Sequence, residues 1–197
     1  MRKKFDKKTV ITLVVALAII FALCFGVGTI FGDKLSGLGG GDMDEIEQEL
    51  MDYATEQGYS YNDEGLVSYG NGTNVFTFGD ENTTIELSAF MQTNGEPNWD
   101  QVTVTCFGKK PDEVVDNLMK SVPVAIGAYR TAGGEVNSDE VLGALDDNEA
   151  AVRKTIGKYG KKQVEDKNWD YDDGYIGVKY KEGLYYAGMV FTGDFTR

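Results

Sequence analysis

The chain has 197 residues, 19 Lys+Arg against 32 Asp+Glu, no His and a formal net charge of −13. Such an acidic balance repels phosphate backbones and sets nucleic-acid binding aside; without His there is no Ser-His-Asp or Cys-His nucleophile pair and no imidazole metal ligand. Two Cys are too few for a disulfide scaffold, and the length suits one globular domain with a further segment.

Charge is unevenly placed. Residues 1–32 carry five basic side chains and one acidic, Asp6, while the remaining 165 carry 14 basic and 31 acidic. Residues 9–32 hold 24 positions without a charged side chain. At 1.5 Å rise per residue, about 20 residues cross a hydrocarbon core roughly 30 Å thick. Residues 9–32 are therefore expected to be a transmembrane helix, an uncleaved signal anchor. Positive-inside bias leaves 1–8 as a basic cytoplasmic tail and sends the acidic part outward. Two other readings compete. Gly26-Val27-Gly28 offers a weak signal-peptide cleavage site. Phe21-Ala22-Leu23-Cys24 resembles a bacterial lipoprotein processing box, with Leu23 where that motif takes Gly, Ala or Ser, and would lipidate Cys24. All three put the domain outside the cytoplasmic membrane. Cys106 is the lone Cys beyond the apolar segment, and a Cys-poor outer domain fits a bacterial envelope better than an animal secreted protein.

Residues 33–42 read as a Gly-rich tether spanning on the order of 17–20 Å. Asp42 with Glu45 then makes a capping box for a helix with Met43, Ile46, Leu50, Tyr53 and Ala54 on one face, stopped by Gly58. Strands are expected at 66–69 and 74–78 around Gly70-Asn71-Gly72. At 84–91, Ile85, Leu87 and Ala89 alternate with Thr84, Glu86 and Ser88. A polar loop at 93–99 precedes a strand at 101–107, with Val102, Val104 and Cys106 inward and Thr103 and Thr105 outward. Pro111 opens a helical stretch that Pro123 is expected to kink or split. Asn137 with Glu140, and Asp146 with Glu149, predict a short helix and then a second one closed by Gly160. Residues 175–180 and 184–191 flank Lys181-Glu182-Gly183 as a hairpin. The whole predicts an α+β domain over 43–197, a mostly antiparallel sheet of about six strands with three or four helices on one face.

Two groups of residues suggest sites. Asp166, Asp170, Asp172 and Asp173 cluster with Asn168 and Gly174, and clustered carboxylates suit Ca²⁺. The EF-hand register fails, because Gly174 at its sixth position puts Trp169 and Tyr171 where oxygens are required; the same acids also read as a solvated turn. Trp169, Tyr175, Tyr185 and Tyr186 form the second group. Tyr185 and Tyr186 are adjacent and point to opposite sheet faces, so one set of rings is expected on the face the helices leave open, where Tyr and Trp anchor partners. Cys106 falls on an apolar face and reads as a core thiol. The expectation is a membrane-anchored, non-catalytic binding or interaction module of the bacterial envelope. Its residues 9–32 lie in the membrane and its partner is an envelope protein or cell-surface glycan. The alternative is a secreted or lipid-anchored envelope hydrolase with two facing carboxylates about 5–10 Å apart, one of them raised in pKa by burial.

Overall fold

In the computed structural model of the protein, residues 42–68, 73–91, 97–159 and 166–193 are described, all within one compact unit, Asp33–Arg197. The expected cytoplasmic tail at 1–8, transmembrane helix at 9–32 and most of the tether lie outside them. Among the described residues no helix is long and apolar enough to cross a membrane.

The fold is α+β, with three helices and a seven-stranded antiparallel sheet. The chain runs α1 (Asp42–Glu56), β1 (Ser60–Ser68), β2 (Thr73–Gly79), β3 (Thr83–Met91), β4 (Pro97–Gly108), α2 (Pro111–Thr131), α3 (Ser138–Ile156), β5 (Lys167–Tyr171), β6 (Gly174–Lys181) and β7 (Leu184–Thr192). The spatial order β1-β2-β3-β4-β7-β6-β5 joins two meanders at the β4–β7 ladder. Alternation sets the inner face. Phe76, Phe78, Ile85, Leu87, Val102, Val104, Cys106, Ile176, Val178, Ala187, Met189 and Phe191 point to the helices and form one core with Leu50, Val115, Leu118, Val122, Ile126, Val152 and Ile156.

Six details differ from the sequence expectation. The sheet has seven strands rather than about six, because 167–171 is a strand and not a loop. There Trp169 and Tyr171 pack on the core while Asn168 and Asp170 are exposed, a period of two beneath the acidic composition. Strand β4 begins at Pro97, inside the expected 93–99 loop, and β1 begins at Ser60, with a register shift between Tyr61 and Leu66.

Helix α2 runs unbroken through Pro123. Pro123 is exposed, and the missing amide costs about 3 kcal/mol. Burial of Val114, Val115, Leu118, Val122 and Ile126, at about 1.5–3 kcal/mol each, outweighs that. Helix α3 is likewise one helix, not two. Asn137 caps it by accepting from the Glu140 amide at 3.4 Å, but Asp146 lies mid-helix and exposed, on a turn whose inner side holds Val141, Leu145 and Val152. The helix stops at Gly157 rather than Gly160.

Tight contacts fix the helices in place. The Tyr53 hydroxyl donates to the Val124 carbonyl at 3.3 Å, and any Cβ at Gly127 would collide with the Tyr53 ring end. Arg153 on α3 reaches Asp116 on α2 at 2.6 Å and Glu149 at 2.7 Å. At the hairpin tip, Glu182 and Gly183 both take positive φ, 54° and 84°, the left-handed pair that a two-residue turn between twisted strands requires.

Candidate functional site

The sheet face away from the helices carries the most informative side chains. Thr77, Glu86, Thr103, Val190 and Tyr175 stand opposite one another in a single row across β2, β3, β4, β7 and β6, and Asp170 ends the row on β5. The next row is Thr84, Thr105, Gly188, Gly177 and Asn168. A third holds Phe107, Tyr186 and Lys179. Solvated sheet faces alternate charged side chains outward. These inner positions hold hydroxyls, rings and valine instead, with Glu86 and Lys179 their two charges. None of the three described helices lies over this face, yet Thr103, Tyr186 and Val190 are each 4% exposed and Glu86 is 8% exposed.

Glu86 is the chemically distinctive group. Burial pushes its carboxyl up from 4.5 to about 7, and among the described residues no hydrogen bond or charge offsets it. Its diagonal neighbour across β3 and β4, Thr105, has a buried hydroxyl oxygen without a hydrogen-bond partner. Beside Thr105, Gly188 and Gly177 face each other on β7 and β6. Both glycines are buried, between the Val190–Tyr175 row and the Tyr186–Lys179 row. Lys179 lies 5.4 Å from the Tyr186 ring centroid.

The sequence-expected residues distribute differently. Asp166 and Asp170 are exposed. Asp173, in the β5–β6 turn, accepts at its backbone carbonyl from the Thr192 amide at 2.9 Å and the Thr192 hydroxyl at 3.1 Å. Asp172 and Asp173 stand near Glu140 at the start of α3, whose carboxyl is raised by desolvation and by those two charges. Glu140 was not among the sequence candidates, since its nearness to the turn depends on how α3 packs. Among the described residues no three His, Cys, Asp or Glu side chains group as a metal site. The four carboxylates are thus spread over the residue before β5, the strand itself and the turn after it, with Asp172 and Asp173 raising the Glu140 carboxyl.

The four aromatic residues divide between faces. Trp169 and Tyr185 pack against the helix-side core, where the Tyr185 hydroxyl donates to the Tyr159 carbonyl at 3.4 Å. Tyr175 and Tyr186 belong to the other face. Neither Tyr185 nor Tyr186 stands in solvent; on the same hairpin Tyr180 is exposed, 40% accessible and 4.8 Å from Tyr185 between centroids. Cys106 is fully buried with its thiol pushed to about 12, first by burial, which removes the thiolate a nucleophile needs.

Glu86 meets half of what two-carboxylate hydrolysis requires, a carboxyl raised by burial, and among the described residues no second acid contributes to its shift. The glycine pair was legible in principle. A turn at Glu182-Gly183 pairs Tyr180 with Tyr185 and, three steps on, Gly177 with Gly188. No protein-family model, no curated protein and no solved structure matches this chain.

Proposed function

We propose that this protein is a single-pass component of the bacterial envelope, held in the membrane by residues 9–32, whose outer α+β domain is a non-catalytic binding module. The sheet face away from the helices is its binding surface. One observation carries this reading: the row from Thr77 through Glu86, Thr103 and Val190 to Tyr175 is uncharged but for one buried carboxyl, in a protein with 26% charged residues. A face left to water has no reason to exclude charge. A face withdrawn from water does, because desolvating a charge is costly, and the half-buried, uncharged Ser88, Gln101 and Thr192 beside it offer a partner the same chemistry. The partner class is an envelope protein, and the acidic domain favours a cationic surface on it.

Two experiments test the parts separately. Protease added to intact protoplasts is expected to remove the domain and leave residues 1–8 protected; full protection of the domain overturns the topology. Ser88 and Gln101, half-buried neighbours on the binding face, are then both replaced by Lys. Solubilised in mild detergent from its own membrane, the full chain is expected to run on a native gel as a complex, and the double variant as the chain alone. Unchanged migration of the variant overturns the binding face.

A further inference from the structure

The sheet ends at β1 on one side and at β5 on the other, and the two edges differ. An irregular register between Tyr61 and Leu66 interrupts the β1 ladder, which turns an edge away from strand addition. The β5 ladder is continuous from Lys167 to Tyr171, and each of its residues is exposed or half-buried. It is also held in place: Trp169 packs on the core, and the Tyr171 hydroxyl donates to the Val190 carbonyl at 3.0 Å.

One hydrogen bond sets the direction of the edge groups. The Thr192 amide donates to the Asp173 carbonyl at 2.9 Å, one step outside the Gly174–Phe191 pair. The Gly174 amide and carbonyl therefore turn away from β7 and toward β5. Tyr171, Trp169 and Lys167 stand opposite Gly174, Ile176 and Val178 and spend their backbone groups on β6. The amides and carbonyls of Asn168 and Asp170 then point outward, and among the described residues no strand meets them.

We propose that β5 accepts an extended segment of a partner protein as an eighth, antiparallel strand, with lysine or arginine on its helix-free side and apolar residues on its helix side. This site is separate from the helix-free face and does not depend on it. Backbone pairing at Asn168 and Asp170 attaches the strand, and the side chains on its two faces select it. On the helix-free side stands Asp170, with Asp166 before the strand and Asp172 after it, all three exposed. Directly opposite side chains lie about 5 Å apart at Cβ, so a cation there pairs with Asp170. On the helix side the half-buried Trp169 and Tyr171 rings offer apolar surface to cover. Lys167, 5.0 Å from the Trp169 ring centroid, repels a cation on that side. A second copy of this chain fits poorly. Two β5 strands about a two-fold axis oppose Asp166 to Asp172 when centred on Trp169, Asp166 to Asp170 when centred on Asn168, and Asp170 to itself when centred there. Like charges directly opposite destabilise a sheet.

The test uses the full chain in non-ionic detergent micelles and three synthetic peptides: an alternating lysine–valine heptamer, the same heptamer N-methylated on its lysine amides, and the glutamate–valine counterpart. N-methylation keeps charge and pattern but removes the amides that would pair with β5. The lysine–valine peptide is expected to bind and, at saturation, to slow hydrogen exchange of the Asn168 and Asp170 amides at least ten-fold. The N-methylated peptide is expected to do neither. Asp170→Lys, at an exposed position, is expected to weaken the lysine–valine peptide at least ten-fold and to favour the glutamate–valine one. Binding without protection of the two amides, or equal binding of the N-methylated peptide, would mean attraction by surface charge alone and overturns strand addition. No binding of the lysine–valine peptide overturns it as well, and equal binding of the glutamate–valine peptide overturns the cationic partner. Protection of the same amides in a peptide-free dimer would place a second copy on the edge, again against the proposal.

Discussion

Glu86 on β3 and Thr103 on β4 stand directly opposite each other on the side of the sheet away from the helices, and both are withdrawn from water. Glu86 is flanked on β2 by Thr77, so hydroxyls and no cation border the carboxyl in its own row. This has a consequence for stability. The folded-state pKa of Glu86, about 7, lies above its ordinary value of 4.5, so the native state holds the proton more tightly than the unfolded chain. Stability from this group is whole below pH about 4.5 and is lost as pH rises through about 7, a swing on the order of 3 kcal/mol. Urea midpoints for the wild type and Glu86→Gln are expected to converge near pH 5 and to separate at pH 8.5, with the variant more stable. Parallel profiles would show that the carboxyl is solvated.

Gly127 faces the end of the Tyr53 side chain where α1 crosses α2. Ala ordinarily favours a helix by up to about 1 kcal/mol over Gly. Here Gly127→Ala is expected to destabilise by about 1–2 kcal/mol, because the methyl displaces the ring and its bond to the Val124 carbonyl. In a Tyr53→Ala background the sign is expected to reverse. Thermal melts of the four proteins decide it, and a destabilisation that persists without the ring contradicts the contact.

Cys106 is expected to resist iodoacetamide at pH 8 in the folded protein and to react promptly in urea, read in a Cys24→Ser background. Burial holds its thiol at about 12, so the thiolate is scarce. Prompt labelling of the native protein would mean that the β4 interior opens readily.

Arg153 joins α2 to α3 through Asp116 with its side chain 31% exposed. Arg153→Met keeps the stem and removes the charge. A loss under about 1 kcal/mol is expected, shrinking further at 1 M salt. A salt-independent loss of several kcal/mol would assign the residue a packing role instead.

The sequence made the inner sheet legible where alternation was clean, at Ile85-Leu87-Ala89 and Val102-Val104-Cys106. It misled where local chemistry had two meanings. Asp146-Asp147-Asn148-Glu149 has the composition of a helix start, but nothing local marks Leu145 and Val152 as one continuous stripe packed on α2. Asn168-Trp169-Asp170-Tyr171 has the acids of a solvated turn, but the aromatics between them set the strand. Glu86 was placed on the correct face; its burial was not legible, because outward alternation identifies a face without saying what meets it. The rows of this face needed a pairing across a turn, Gly177 with Gly188, and an alignment through β4 that no local pattern contains.

Site-specific photo-crosslinking in the source cells tests the central claim most directly. A benzophenone side chain is placed at Ser88, Gln101 or Thr192, half-buried positions in register on the helix-free face, and for comparison at Lys120 or Ala150, exposed positions on α2 and α3. The expected result is one discrete crosslinked species from the three sheet positions and none from the helix positions. Crosslinks from the helix positions with none from the sheet would contradict the account.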